Sequence, residues 1–167
     1  MPPPIILYLV TIAAILLPLK RAQAQTDTDL IARGRYIATA IQGCGCHTRE
    51  KADGGKDEAW HYAGAPNPPP PAGPPANAGW TSPRWKKIYA RNITPDRETG
   101  IGNWTETDFV RAMRTGLTPD GRVLDAQMPW EAFQKITDRD LKSLWAYLKT
   151  IKPIKSKAPD GVPADAK

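Results

Sequence analysis

Two short motifs hold the residues of this chain whose types and spacing suit chemistry at a metal. Cys44-Gly45-Cys46-His47 puts two thiols beside an imidazole, and Met128-Pro129 adds a thioether later in the chain. Cysteine sulfurs add to the vinyl groups of a porphyrin, and a histidine directly after the second cysteine then ligates the iron. A methionine sulfur can fill the opposite axial position. Together the motifs predict one covalently attached haem.

The cysteine spacing is shorter than the usual C-x-x-C-H pattern. Gly43 stands where the first cysteine would be, and only Gly45 separates Cys44 from Cys46. Because Cys46 and His47 keep the adjacent arrangement, we expect Cys46 to form a thioether. The sulfur of Cys44 leaves the backbone in a different direction, so we expect Cys44 either to form a strained second thioether or to stay free.

The same side chains allow other uses. A Cys44–Cys46 disulfide, a pair of buried thiols, or a small zinc or copper site formed by Cys44, Cys46, His47 and His61 would each explain the motif. A haem protein whose sixth site is open, as in an enzyme or a gas sensor, would use His47 and leave Met128 unbound. The sequence leaves these alternatives open.

Met128 is the preferred second axial ligand. Pro129 restricts it to extended backbone, which suits a side chain held toward a metal. Met113 is on the apolar face of a predicted helix, where a core role is expected. His61 is the rival ligand, but its aromatic neighbours and the prolines that follow favour a surface loop. With His47 and Met128 both bound, iron has no vacancy for substrate, so the chain is predicted to carry electrons and not to be an enzyme.

Residues 1–24 have the pattern of an export signal. Ile5 to Leu19 is an apolar run, too short for a bilayer span of about twenty residues. Ala22-Gln23-Ala24 then matches a small-x-small cleavage site. We expect residues 1–24 to be a cleaved signal peptide and the mature protein to be periplasmic. A retained leader would instead hold it at the membrane.

Composition agrees with a haem-centred domain of an exported protein. The 167-residue chain carries a formal net charge of +6, with its basic residues dispersed, and export separates it from nucleic acid, so nucleic-acid binding is not expected. It has six Trp and only two Phe, which leaves little ordinary core. A haem would supply the apolar centre that short helices need.

Helical periodicity predicts three helices, at about 27–42, 106–115 and 138–151. Each begins with a Thr-x-x-Asp pattern that resembles a capping box. The first leads straight into the cysteine motif, and its Gly34 is expected to meet the last helix through Leu144 and Tyr147. A further helical turn is expected between Met128 and Thr137.

The remaining segments divide the chain into a domain and its extensions. We expect a single haem-binding domain over 25–152, containing a proline-rich loop insertion at 63–78 that is extended, lies on the surface and forms no helix or central strand. Residues 153–167 are rich in Pro, Lys, Ala and Asp and are expected to form a flexible tail.

The chain resembles the class I cytochrome c family. The order of elements carries this resemblance: a helix leading into Cys46-His47, a long loop region, the Met128-Pro129 loop, and a final helix with Leu144-Trp145-Ala146-Tyr147-Leu148-Lys149. The segments that look like the cytochrome subunits of bacterial periplasmic dehydrogenases are Asn92 to Asp96, Glu98 to Gly102, Trp104, Asp108-Phe109 and Arg114 to Gly116.

The resemblance implies an all-α fold of short helices packed around one haem c. It makes His47 the proximal ligand and Met128 the distal ligand, with Cys44 and Cys46 at the haem-binding motif. It also implies a periplasmic dehydrogenase as electron donor and a terminal oxidase or another cytochrome as acceptor.

Overall fold

A computed structural model describes residues 26–40 and 44–166 of the chain. The predicted signal peptide and Gly43 lie outside the described residues. Within those two ranges, none of the helices combines the length and the apolar character that crossing a bilayer requires.

Helices are the main regular elements. They are α1 over 26–40, α2 at Pro75–Ala78, α3 at Glu106–Thr115, α4 at Trp130–Phe133 and α5 at Asp138–Leu148, with two 3₁₀ turns at Gly45–His47 and Glu58–Trp60. The predicted bounds of α3 and the helical turn after Met128 are confirmed. Helix α5 ends at Leu148, before the predicted 151, because the chain turns there to run toward Pro153.

The capping pattern at Thr105 forms in full. The Thr105 hydroxyl accepts from the Asp108 amide, and the Asp108 carboxylate accepts from the Thr105 amide, which satisfies two otherwise unpaired N–H groups at the start of α3. At α5, Thr137 accepts from the Asp140 amide, but the Asp140 carboxylate binds Arg33 on α1 instead. Half of the predicted capping box therefore forms at α5, and the Asp140 side chain connects α5 to α1 instead of completing the box.

Helices α1 and α5 cross at Gly34. A Cβ atom at this position would lie 1.8 Å from the backbone oxygen of Ser143 and 2.8 Å from the Cβ of Tyr147. Only glycine permits so close an approach, which confirms the predicted contact with the last helix and with Tyr147, although the nearest atoms belong to Ser143 and not to Leu144. Two hydrogen bonds from Arg33 to Asp140, at 2.9 and 3.2 Å, brace the same crossing.

The core lies where α1, α3 and α5 converge. Phe109 and Trp145 pack with ring centroids 5.5 Å apart, and the buried apolar side chains form one cluster. That cluster consists of Ile37, Ala38, Cys44, Tyr62, Ile101, Phe109, Met113, Phe133, Leu141, Leu144, Trp145 and Leu148. The cysteine motif thus enters the core at its edge.

A small antiparallel sheet accompanies the helices and was not predicted. Strands β1 at Trp80–Ser82, β2 at Trp85–Ile88 and β3 at Val162–Pro163 pair in the order β1-β2-β3. Trp85 is opposite Ser82 in one pair and opposite Pro163 in the other. The strands are too short for an alternating pattern to be visible in sequence.

The prediction that the proline-rich segment contains no helix is wrong at its end. Helix α2 begins at Pro75, a position where a missing N–H costs nothing, and its Ala76 and Asn77 are buried. Asn77 accepts from the Glu50 amide and donates to the Glu50 carbonyl, tying this segment to the chain after the cysteine motif. Ala63 and Ala65 at the start of the segment are fully buried, contrary to the predicted surface location, whereas residues 67–73 are exposed or half-buried, as expected of a surface loop.

The C-terminal segment does not fray as the sequence analysis predicted. Ser156 and Ala158 are buried, and β3 completes the sheet. The Asn92 side chain donates to the carbonyl of Ile154 at 2.7 Å, and the Ser156 amide donates to Thr99 at 2.9 Å. Side chains of the loop around Asn92 thus satisfy backbone groups of the C-terminal segment and hold that segment against the domain.

Candidate functional site

The cysteine motif folds as a single 3₁₀ turn. Cys44 precedes it, the His47 amide donates to the Cys44 carbonyl at 3.0 Å, and the Thr48 amide donates to the Gly45 carbonyl at 3.2 Å. The His47 carbonyl then accepts from the Gly64 amide at 2.8 Å. These bonds attach the motif to the loop that begins the proline-rich segment.

His47 is buried and its ring orientation is set by one hydrogen bond. The side chain is at the core edge with the residue 9% exposed, and its Nδ1 lies 2.6 Å from the backbone oxygen of Arg91. Because a carbonyl can only accept, Nδ1 carries the proton and Nε2 keeps its lone pair. Burial lowers the pKa of this imidazole, and the Arg91 carbonyl opposes the shift only in part. A neutral histidine of this tautomer is a ready metal ligand.

The two cysteines differ in their surroundings. Both are free thiols, so the disulfide considered above is not formed. Cys46 is exposed, whereas Cys44 is buried in the core cluster. Burial, with a smaller contribution from Cys46, raises the pKa of the Cys44 thiol to about 12. Cys44 is therefore protonated at neutral pH and is a weak nucleophile.

Met128 lies in a loop whose backbone is closed by hydrogen bonds. Its amide donates to the Asp125 carbonyl at 2.9 Å, and its carbonyl accepts from the Trp130 amide at 2.6 Å. The side chain is half-buried and packs against the core cluster to which Cys44 belongs. Met128 and Cys44 thus share one core cluster: Cys44 belongs to it and Met128 packs against it.

The C-terminal end of helix α3 packs against the segment that follows Met128. Gly116 ends α3 with φ 69°, and a Cβ there would lie 2.7 Å from the ring of Trp130. The Arg114 guanidinium donates to carbonyls at the end of α4 and in the connection to α5, among them that of Ile136 at 2.6 Å, and to the Asp138 carboxylate at 2.7 Å. These contacts hold the start of α4, and hence Pro129, against α3.

The other candidate ligands have structural roles or lie apart. Met113 is buried in the core face of α3, as predicted. His61 stacks on Tyr62, with ring centroids 3.8 Å apart, and its Nδ1 lies 3.2 Å from a Glu58 carboxylate oxygen in ion-pair distance but outside hydrogen-bond geometry. Over 26–40 and 44–166, no three His, Cys, Asp or Glu side chains converge to hold a metal ion, so the zinc or copper site is not assembled.

Two residues near the site gave no signal in the sequence. Arg91 contributes its backbone oxygen to His47, a role that any residue type could fill. Tyr62 is 2% exposed with φ 59°, an uncommon conformation for a bulky residue. Burial, followed by the charge of Cys44, raises the pKa of its phenol. In the sequence, Tyr62 is marked only by its position next to His61.

The chain is similar in sequence to subunits of several bacterial dehydrogenases. A subunit of nicotinate dehydrogenase from Pseudomonas putida is 38% identical over 132 residues, which are 78% of this chain and 9% of that protein. The fructose dehydrogenase cytochrome subunit of Gluconobacter japonicus is 35% identical over 143 residues, 85% of this chain and 26% of that subunit. The cytochrome c subunit of alcohol dehydrogenase (quinone) from Gluconobacter oxydans is 36% identical over 146 residues, 83% and 26% respectively.

The chain spans about a quarter of the length of these cytochrome subunits. No protein-family profile matches it. The similarities support a cytochrome c-like family, and together with the mostly helical architecture they confirm the predicted class I cytochrome c fold. Two of these relatives are named as cytochrome subunits of dehydrogenases.

Proposed function

We propose that this chain is a periplasmic cytochrome that carries one haem c and transfers single electrons from a dehydrogenase to a downstream acceptor. The observation that carries the proposal is the buried His47, whose Nδ1 donates to the Arg91 carbonyl at 2.6 Å and so leaves Nε2 as a ligand atom. A cytochrome c-like family implies haem c, and a bound haem supplies reversible one-electron chemistry at its iron.

The chemistry of the donor set fits a haem attached through one cysteine. An exposed thiol at Cys46 is accessible for addition to a vinyl group, while the buried, protonated thiol of Cys44 is not. We propose Cys46 as the attachment residue, His47 and Met128 as the axial ligands, and Cys44 as a core residue. An imidazole and a thioether together would stabilise ferrous iron and raise the reduction potential.

The partner is proposed from the relatives. Their names describe subunits of nicotinate, fructose and alcohol dehydrogenases. We propose that this chain likewise accepts electrons from a dehydrogenase in the periplasm, after removal of residues 1–24, and passes them to a terminal oxidase or another cytochrome.

The decisive experiment expresses the full chain in a host with cytochrome maturation machinery. Intact mass of the periplasmic product reports leader removal and covalent haem together. Cys44→Ala should keep the haem mass, and Cys46→Ala should lose it. A colourless wild-type product, or retention of haem by Cys46→Ala, would overturn the attachment proposed here.

The axial ligand has its own matched pair of variants. Met128→Leu should abolish the far-red absorption band of methionine-ligated ferric haem and should let the reduced protein bind carbon monoxide. Met113→Leu, which alters a buried methionine of the core, should keep the band. Carbon monoxide binding by the wild type with no such band would instead favour a haem protein with an open sixth site.

A further inference from the structure

A buried carboxylate lies in the loop that carries Met128. Asp125 is 4% exposed, and its side chain accepts from the Ser82 hydroxyl at 2.9 Å and from the Gln127 amide at 3.1 Å. Removing a carboxylate from water is costly unless hydrogen bonds replace the lost solvation. The Ser82 hydroxyl is thus a partner that the buried Asp125 needs.

A second contact joins the same two segments. The Gln127 side chain donates to the backbone oxygen of Thr81 at 3.0 Å. Thr81 and Ser82 are both in β1, which pairs with β2, and β2 pairs in turn with β3 near the C-terminus. The Met128 loop is therefore hydrogen-bonded to β1, one edge of a sheet whose opposite edge is β3.

The contacts between the Met128 loop and β1 also fix the backbone position of Met128. The Asp125 carbonyl accepts from the Met128 amide at 2.9 Å, so the residue that binds Ser82 also closes the turn that ends at Met128. Ala126 and Gln127 between them are exposed, so the turn is held by the hydrogen bonds of Asp125 and by the bond from Gln127 to Thr81. A hydrogen bond to an ionised carboxylate is also stronger than one between neutral groups.

We propose that Asp125 and Ser82 are positioning residues that hold Met128 ready for iron ligation. The inference rests on the proposed function, because it presumes that Met128 binds iron. Without the pair, the loop would spend more time with its sulfur away from the metal. Since carbon monoxide binds ferrous haem only where methionine has left, its apparent affinity reports the fraction of molecules with the sixth site open.

The test measures carbon monoxide affinity and the far-red methionine band in the haem-loaded full chain. Ser82→Ala removes one donor to a charged group, so we expect carbon monoxide affinity to rise about tenfold or more. Asp125→Asn should act in the same direction. Ser82→Thr keeps the hydroxyl and should restore nearly wild-type affinity, which separates the hydrogen bond from effects of side-chain volume.

Asp140→Asn is the matched control, because it breaks a carboxylate contact between α1 and α5 that does not touch the Met128 loop. It should lower resistance to denaturant and leave carbon monoxide affinity unchanged. If Met128→Leu opens the sixth site but Ser82→Ala and Asp125→Asn both stay within about twofold of wild type, the positioning role is overturned while the proposed function stands. If Met128→Leu changes nothing, the axial assignment itself fails.

Discussion

The backbone of Gly34 packs so closely on that of Ser143 that a Cβ at position 34 would lie 1.8 Å from the Ser143 carbonyl oxygen. This contact sets the separation of α1 and α5, and the described part of α1 reaches residue 40, four residues before Cys44. The Cys44 amide donates to the Ala38 carbonyl of α1 at 3.4 Å, and both residues belong to the core cluster, so the helix crossing and the cysteine motif share one packed core.

We expect Gly34→Ala to force the two helices apart. Overpacking of this kind typically costs about 1–3 kcal/mol, and backbone atoms cannot swing aside as a side chain would. The measurement is the free energy of unfolding in denaturant. Arg35→Ala, on the exposed face of the same helix, is the control and should change it by less than about 0.5 kcal/mol. Equal stabilities for the two variants would contradict the close crossing.

Asn92 is expected to be a major contributor to stability for its size. It is 3% exposed, accepts from the amide and hydroxyl of Thr94, and donates to Thr99 and to the Ile154 carbonyl. Asn92→Ala would leave several buried groups unpaired, at about 1–3 kcal/mol each. Denaturant unfolding should show a loss of about 2 kcal/mol or more.

Asn103→Ala provides the comparison for that variant. Asn103 is exposed and donates one hydrogen bond, to the Arg97 carbonyl at 2.8 Å. Its removal should cost about 0.5–1.5 kcal/mol at most. A similar loss for both asparagines would mean that the C-terminal segment does not depend on Asn92.

Acid should weaken the α1–α5 crossing. The hydrogen bond from Arg33 holds the pKa of the Asp140 carboxyl below its usual range. Because the folded pKa lies below the unfolded value of about 3.9, the contribution is complete above that pH and is lost as pH falls through the folded pKa. Asp140→Asn should therefore be less stable than wild type at pH 7, and the difference should shrink in acid.

Glu106→Gln is the control that tests whether removing any surface carboxylate lowers stability at pH 7 as much as Asp140→Asn does. Glu106 lies 3.5 Å from the Lys142 amine in an exposed pair. Removing its charge should change the unfolding free energy by less than about 1 kcal/mol at pH 7. A loss as large as that of Asp140→Asn would show that general surface charge, and not the Arg33 contact, causes the pH dependence.

The two cysteines should differ in reactivity in protein produced without haem attachment. Iodoacetamide should modify Cys46 faster than Cys44 by about two orders of magnitude or more, because Cys44 is buried and the pKa of its thiol is raised to about 12. Intact mass of the Cys44→Ala and Cys46→Ala variants over time measures each rate. Denaturant should make the rates similar, and similar rates in the native protein would contradict the burial of Cys44.

The sequence alone determined the local parts of this protein. Thr105 and Asp108 are three residues apart, so their capping box forms within one helical turn and is readable without tertiary information. The apolar spacing that predicted α3 and α5 likewise follows from helix geometry. A glycine inside a predicted helix also indicated a close contact at Gly34, but the tertiary structure identified the Ser143 backbone as the nearest atoms. The motifs of Cys46-His47 and Met128 remain predictions of the same local kind.

The tertiary structure decided everything that depends on residues far apart in the chain. The partner of His47 is a backbone carbonyl at Arg91, and a carbonyl has no signature in sequence. The burial of Cys44, the pairing of Asp125 with Ser82 and the docking of the C-terminal segment on Asn92 all arise from long-range packing. Propensity and composition predicted a flexible tail because they describe only local preferences. The segment is held instead by hydrogen bonds between buried polar groups that are far apart in the chain.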